Sequence, residues 1–98
     1  MQKLDRSDPS KAIGEVIVGV AAGLSSGPAR QISGQARRFQ CTASLTNDSG
    51  EVADARSLFE LLSLGAGAGE RVTIRCVGSD AHAAYEAIAE ILAGSTAR

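Results

Sequence analysis

The chain has 98 residues, 44% of them apolar and 3% aromatic, with 10 Lys and Arg against 11 Asp and Glu, and a single histidine. This length supports one domain with one core. The apolar share excludes a disordered chain, and the net charge of -1 excludes the basic face that a nucleic-acid binder needs. One histidine and two cysteines fall short of a structural zinc site and leave few acid–base constellations.

Residues 1–13 are polar, contain Pro9 and lack an apolar stretch, so they read as a flexible leader and not as a signal peptide. Glu15 to Val20 is rich in Val and Ile, as in a buried strand that Ile13 could begin. The apolar run from Val16 to Ala22 is far below the roughly 20 residues that span a bilayer. A soluble, cytoplasmic protein without membrane insertion is expected.

Pro28 fits the first turn of a helix capped by Ser26 or Gly27, and Ala29, Ile32, Ala36 and Phe39 fall on one face of it. Gly34 weakens this helix by about 1 kcal/mol relative to Ala, and Arg37 and Arg38 complement the dipole in its last turn. The period then changes to two: Cys41, Ala43 and Leu45 alternate with Thr42, Ser44 and Thr46. Asn47 to Gly50 is a turn, and Glu51 to Ala55 should return as a hairpin strand.

Ser57 and Glu60 have capping-box spacing and open a short helix that Gly65 ends. Ala66 to Gly69 reads as a loose connection into a strand in which Val72, Ile74 and Cys76 face inward. Its glycines precede a strand instead of following one, which excludes a dinucleotide-binding loop. Gly78, Ser79 and Asp80 cap a last helix whose apolar positions are Ala81, Ala84, Tyr85, Ile88, Ile91 and Leu92. Gly94 closes the domain of residues 14–94, and 95–98 is a tail. The order β-α-β-β-α-β-α suits an α+β fold with helices on one face of a mainly antiparallel sheet.

Few residues can carry chemistry. His82 reads as a solvent-facing helical histidine beside Asp80, with no triad partner. Cys41 and Cys76 read as reduced, buried small hydrophobes in no C-x-x-C pairing. Two features remain. The junction Ser25-Ser26-Gly27 before the Pro28 helix has the free N–H groups and positive dipole end of an anion site. Ser57 is a helix N-cap worth about 1 kcal/mol and also a physically sensible phosphorylation target, since a dianion there favours the dipole. Beside it, Leu58, Phe59 and Leu62 could form an exposed apolar docking patch.

Several motifs run together in one known pattern: Gly23-Leu24-x-x-x-Pro28-Ala29, Asp54-Ala55-Arg56-Ser57-Leu58-Phe59, Leu62-Ser63-Leu64-Gly65, Gly69-x-x-Val72-x-Ile74 and Gly78-x-Asp80-Ala81-x-x-Ala84. From Glu15 to Leu92 the chain resembles the histidine-containing phosphocarrier (HPr) family of the bacterial phosphotransferase system. The resemblance implies an open-faced β-sandwich, a four-stranded antiparallel sheet with three helices on one face. No enzyme activity, no cofactor and no metal is expected.

In phosphocarrier members, the residue after Gly-Leu is the histidine that takes phosphate from Enzyme I and passes it to sugar-specific subunits. Here that position is Ser25, and the family's nearby arginine aligns with Gly27. A serine ester is too stable to serve as a donor where a phosphoramidate is labile, so the histidine relay is expected to be absent. Ser57 aligns with the serine modified by HPr kinase/phosphorylase. The pattern is similar in logic to the catabolite-repression HPr homologue, which lacks the histidine, keeps the serine and docks on a transcriptional regulator. The implied partners are therefore proteins: HPr kinase, a transcriptional regulator or phosphotransferase-system components. Ser25, Ser26, Gly27, Arg30, Arg37, Leu58, Phe59 and Leu62 would form the docking face. The alternatives are a phosphocarrier working through an altered site and an interaction module with no phosphorylation.

Overall fold

The two-residue alternation read along the strands reappears as burial. In the computed structural model, which describes residues 8–21 and 23–94, the elements are β1 (Lys11–Ile17), α1 (Ser26–Arg38), β2 (Thr42–Thr46), β3 (Val52–Asp54), α2 (Leu58–Leu64), β4 (Arg71–Val77) and α3 (Ala81–Ala93). The strands form one sheet in the order β1-β4-β2-β3, with every neighbouring pair antiparallel. Ala12 and Val16, Ala43 and Leu45, Ala53, and Val72, Ile74 and Cys76 turn one face of the sheet into the core. The helices meet that face with Ala29, Ile32 and Ala36 of α1, Leu61 and Leu64 of α2, and Ala81, Ala84, Tyr85, Ile88 and Leu92 of α3. The fold is the expected four-stranded antiparallel sheet with three helices. None of the described helices is long and apolar enough to cross a membrane.

Five local readings are corrected. β1 starts at Lys11, inside the segment assigned to the leader, and pairs Lys11 with Val77, Ala12 with Cys76 and Ile13 with Arg75. Its polar residues face outward, and its inward residue, Ala12, carries a weak strand signal. Residues 8–10 form a turn in which Asp8 Oδ1 accepts from Ser10 N at 2.9 Å and Ser10 Oγ at 2.8 Å. Residues 1–7 of the leader and the tail 95–98 lie outside the described residues. Val18 to Val20 leaves the ladder after Ile17, although Val18 stays buried.

The cap of α1 is Ser25, not Ser26 or Gly27. A proline is tolerated throughout the first turn, where N–H groups lack partners, so Pro28 marks the turn and not the cap itself. The Ala66 to Gly69 connection is not loose. Leu24 N donates to Ala66 O at 2.8 Å, Gly69 N to Val18 O at 2.8 Å, and Gly67 N to Glu70 Oε1 at 3.0 Å. Asp80 caps α3 by position only; its carboxylate accepts instead from Gln40 N at 2.8 Å.

Glycines 19 and 34 make a useful contrast. A Cβ built on Gly19 would lie 2.3 Å from Ala93 O, whereas one built on Gly34 meets nothing within 4 Å. Gly34→Ala should therefore stabilise the protein by about 1 kcal/mol, the helix-propensity difference alone. An unchanged or lowered midpoint in urea unfolding would contradict this.

Candidate functional site

Gly23 positions the start of α1. Its φ is +71°, and a Cβ there would come within 2.8 Å of Ala66 O, so only glycine allows this approach. Leu24 then buries its side chain and bonds its N–H to Ala66 O. Ser25 follows, half-exposed, as an extended N-cap with φ -92° and ψ -172°. Its carbonyl accepts from Ala29 N at 2.9 Å, but its hydroxyl makes no capping bond. The first turn carries no acidic residue. Ser26 and Gly27 are exposed, and the space a Gly27 side chain would fill is open. The result is a solvent-facing helix start whose serine hydroxyl makes no capping bond and, among the described residues, has no hydrogen-bonded base.

His82 cannot serve as that base. Its Nε2 lies 2.8 Å from Asp8 O, at the end of the sheet where Lys11 pairs with Val77. Ser25 lies beyond the opposite end of β1, where Ile17 pairs with Arg71. The length of β1 separates the two, about 20 Å at roughly 3.3 Å per residue. His82 is partly buried and holds the turn at Asp8, where a freely solvated side chain was expected.

Ser57 is an N-cap as read from the sequence, with its Oγ accepting from Glu60 N at 3.2 Å. The reciprocal half of the capping box is absent. Glu60 Oε1 accepts from Asp54 N at 2.8 Å, and Ser57 N donates to Asp54 O at 3.0 Å. Glu60 therefore ties α2 to β3. Of the apolar residues beside Ser57, Leu58 packs partly on the core, while Phe59 is 77% exposed and Leu62 42%. Phe59 and Leu62 form the uncovered patch, and Leu58 supports it.

Arg37 joins this second site. Its Nη2 donates to Arg56 O at 3.0 Å, which fixes the last turn of α1 to the residue preceding Ser57. Nothing in the sequence pairs these positions, because the contact exists only once α1 and α2 pack. Arg30 is exposed one turn into α1. The expected docking residues thus divide into two places. Ser25, Ser26, Gly27 and Arg30 lie at the start of α1, while Arg37, Ser57, Leu58, Phe59 and Leu62 lie about 18 Å along it. Among the described residues, no group of three or more His, Cys, Asp and Glu side chains could hold a metal ion.

Comparisons with known proteins agree with this architecture. Residues 14–94 match the family model described as the HPr component phosphorylation site of the phosphotransferase system. The phosphocarrier protein HPr of Mycoplasma pneumoniae is 32% identical over 78 residues, which are 80% of this chain and 89% of that protein. The crystal structure of a Bacillus anthracis HPr superposes with a TM-score of 0.79 at 32% identity, covering 85% of this chain and 98% of that one. The Bacillus subtilis catabolite-repression protein Crh, whose structure is an intertwined, swapped dimer, superposes with a TM-score of 0.69 at 30% identity over 85% of this chain and 94% of its own.

Proposed function

The chain belongs to the HPr family of the phosphotransferase system, and from that premise we propose that it is a regulatory protein-binding module of that system without a histidine relay. HPr proteins are phosphocarriers and not enzymes, and the relay needs an imidazole at the start of α1. What carries the reading is the placement of the chain's one histidine, His82, at the far end of the sheet from Ser25. A serine hydroxyl with no neighbouring base is neither a ready acceptor nor, once esterified, a useful donor.

Regulation then falls to Ser57. Its hydroxyl is at a helix start and half-exposed, with the Phe59 and Leu62 patch alongside and Arg37 bound to the adjoining carbonyl. A phosphate there would set a dianion beside an apolar patch and two arginines, Arg37 and Arg56, which together make a recognisable surface for a protein partner. The similarity to the catabolite-repression protein supports a transcriptional regulator or a phosphotransferase component as that partner.

Incubation with an HPr kinase and radiolabelled ATP is the test. The chain should take up label, and Ser57→Ala should abolish it while destabilising the protein by only about 1 kcal/mol through the lost cap. Label that persists in Ser57→Ala would place modification elsewhere. A chain that is never labelled, with partner binding unchanged in Ser57→Ala, would make it an interaction module without phosphorylation.

A further inference from the structure

Cys41 and Cys76 are distant in sequence, and the sheet register brings them together. Thr42 pairs with Val77 and Ala43 with Cys76, so Cys41 falls on the inward side with Ala43, diagonal to Cys76. In a regular ladder such diagonal neighbours stand about 7–8 Å apart. Here both thiols are free, both side chains pack on the core, and each thiol affects the other's ionisation.

Gly78 lets the two strands come close here. It lies one step beyond the Thr42–Val77 pair, and its φ of +145° turns the chain out of the strand. A Cβ built on it would be 2.6 Å from Cys41 Cα and 2.9 Å from Cys41 Cβ, where opposed Cβ atoms in a ladder keep about 4.5–5.5 Å. Without a side chain at Gly78, the chain entering β2 settles closer to β4 than pairing alone would bring it. Gln40 N donating to Asp80 Oδ2 at 2.8 Å and Asp80 N donating to Gln40 O at 3.2 Å hold it there. Cys76 is wholly buried and Cys41 is partly exposed, so a reagent can reach the pair from one side only.

We propose that Cys41 and Cys76 form a closable thiol pair, entered at Cys41 by a small-molecule disulfide and resolved by Cys76 into an intramolecular disulfide. In the first step the Cys41 thiolate attacks one sulfur of the reagent, the reagent's S–S bond breaks, and one thiolate leaves. In the second, Cys76 gives its proton to solvent and attacks the Cys41 sulfur, expelling the other thiolate. The protein loses two thiols to one disulfide while the reagent is reduced to two thiols, so no further oxidant is needed. Cys41 precedes the first paired residue of β2, so closing to disulfide geometry would move the α1–β2 turn and leave the ladder paired.

The surroundings make closure slow at neutral pH. Burial pushes the Cys76 thiol up to about 12, with the neighbouring Cys41 adding to the effect. Burial also raises Cys41, and the Asp80 carboxylate adds to it, against the opposing influence of Cys76 and Arg56. Tyr85, on α3, also faces Cys76 and is raised itself, mainly by burial. Both thiols are thus protonated near pH 7, and each step should quicken about tenfold per pH unit as the thiolate fraction grows. Cys76 lags, so the mixed disulfide on Cys41 should accumulate first. The closed bond would anchor the turn just after Arg37 and Arg38, at the base of the docking helix.

Oxidised glutathione is the probe, with alkylation of free thiols and intact-mass and peptide analysis at pH 7 and pH 9. A glutathione adduct on Cys41 at pH 7 that converts to the internal disulfide at least about tenfold faster at pH 9 is expected. Cys76→Ser and Cys76→Ala should both stop at the adduct, and Cys41→Ser should give neither product. The closed protein should unfold at higher urea than the open one. A Cys41 adduct that persists at pH 9 in the unaltered protein, a covalent dimer through Cys41, or closure only in urea-unfolded chain would overturn the proposal.

Discussion

Enzyme I with phosphoenolpyruvate should leave the unaltered chain unlabelled and should label the Ser25→His, Gly27→Arg double variant roughly a hundredfold above that background. The scaffold for the reaction is in place. Ser25 is half-exposed in an extended N-cap conformation, the first turn of α1 has no acidic residue, and the space at Gly27 is open for a long side chain. What is missing is a nucleophile that titrates near neutrality and yields a labile product. Histidine supplies it, and arginine supplies a bidentate partner for the phosphate. If the variant stays unlabelled while a histidine-bearing relative is labelled in the same mixture, then the missing element is recognition by Enzyme I. Label on the unaltered chain that disappears in Ser25→Ala would instead establish a phosphocarrier with an altered site.

Gly19→Ala should destabilise the fold by about 3 kcal/mol, the upper part of the range for overpacking. The added Cβ would sit 2.3 Å from the Ala93 carbonyl oxygen and 3.0 Å from its carbon. Both are backbone atoms, so no side chain can rotate away. Relief requires the chain leaving β1 to separate from the end of α3, which breaks the 2.8 Å bond from Gly19 N to Leu92 O. Gly94 belongs to the same contact, since a Cβ on it would be 3.2 Å from Gly19 O. Urea unfolding compared with Gly34→Ala reads this directly, and a Gly19→Ala midpoint equal to that of the unaltered protein would sink the argument.

Periodicity carried the elements well. The inward faces of β2, β4 and α3 are the residues their spacing picks out, because each is a long run with one clear apolar side. β1 was legible only in its second half, since Ala12 is a poor strand marker and Lys11 and Ile13 face outward. The caps were less legible than the helices. Asp80 and Glu60 have the right spacing to cap their own helices, yet each carboxylate bonds a backbone N–H of another segment, at Gln40 and at Asp54. A local motif names the acceptor but not the donor that finds it first once the chain is packed. The pairing of Arg37 with the Arg56 carbonyl and the diagonal placement of Cys41 and Cys76 across two strands are tertiary in the same sense.

The sheet order also sets a schedule for synthesis. Among the described residues β1 is the first strand made and pairs only with β4, while β2 and β3 meet as a hairpin across the five residues 47–51. A nascent chain can therefore form the β2–β3 ribbon and α1 early, but β1 has no partner until Arg71–Val77 emerges. The loop that seats Gly23 and Leu24 is completed at the same late moment, because it ends where β4 begins. The start of α1 is therefore among the last parts of the molecule to take shape, and a ribosome-stalled chain ending before β4 would present this helix without its folded N-terminus.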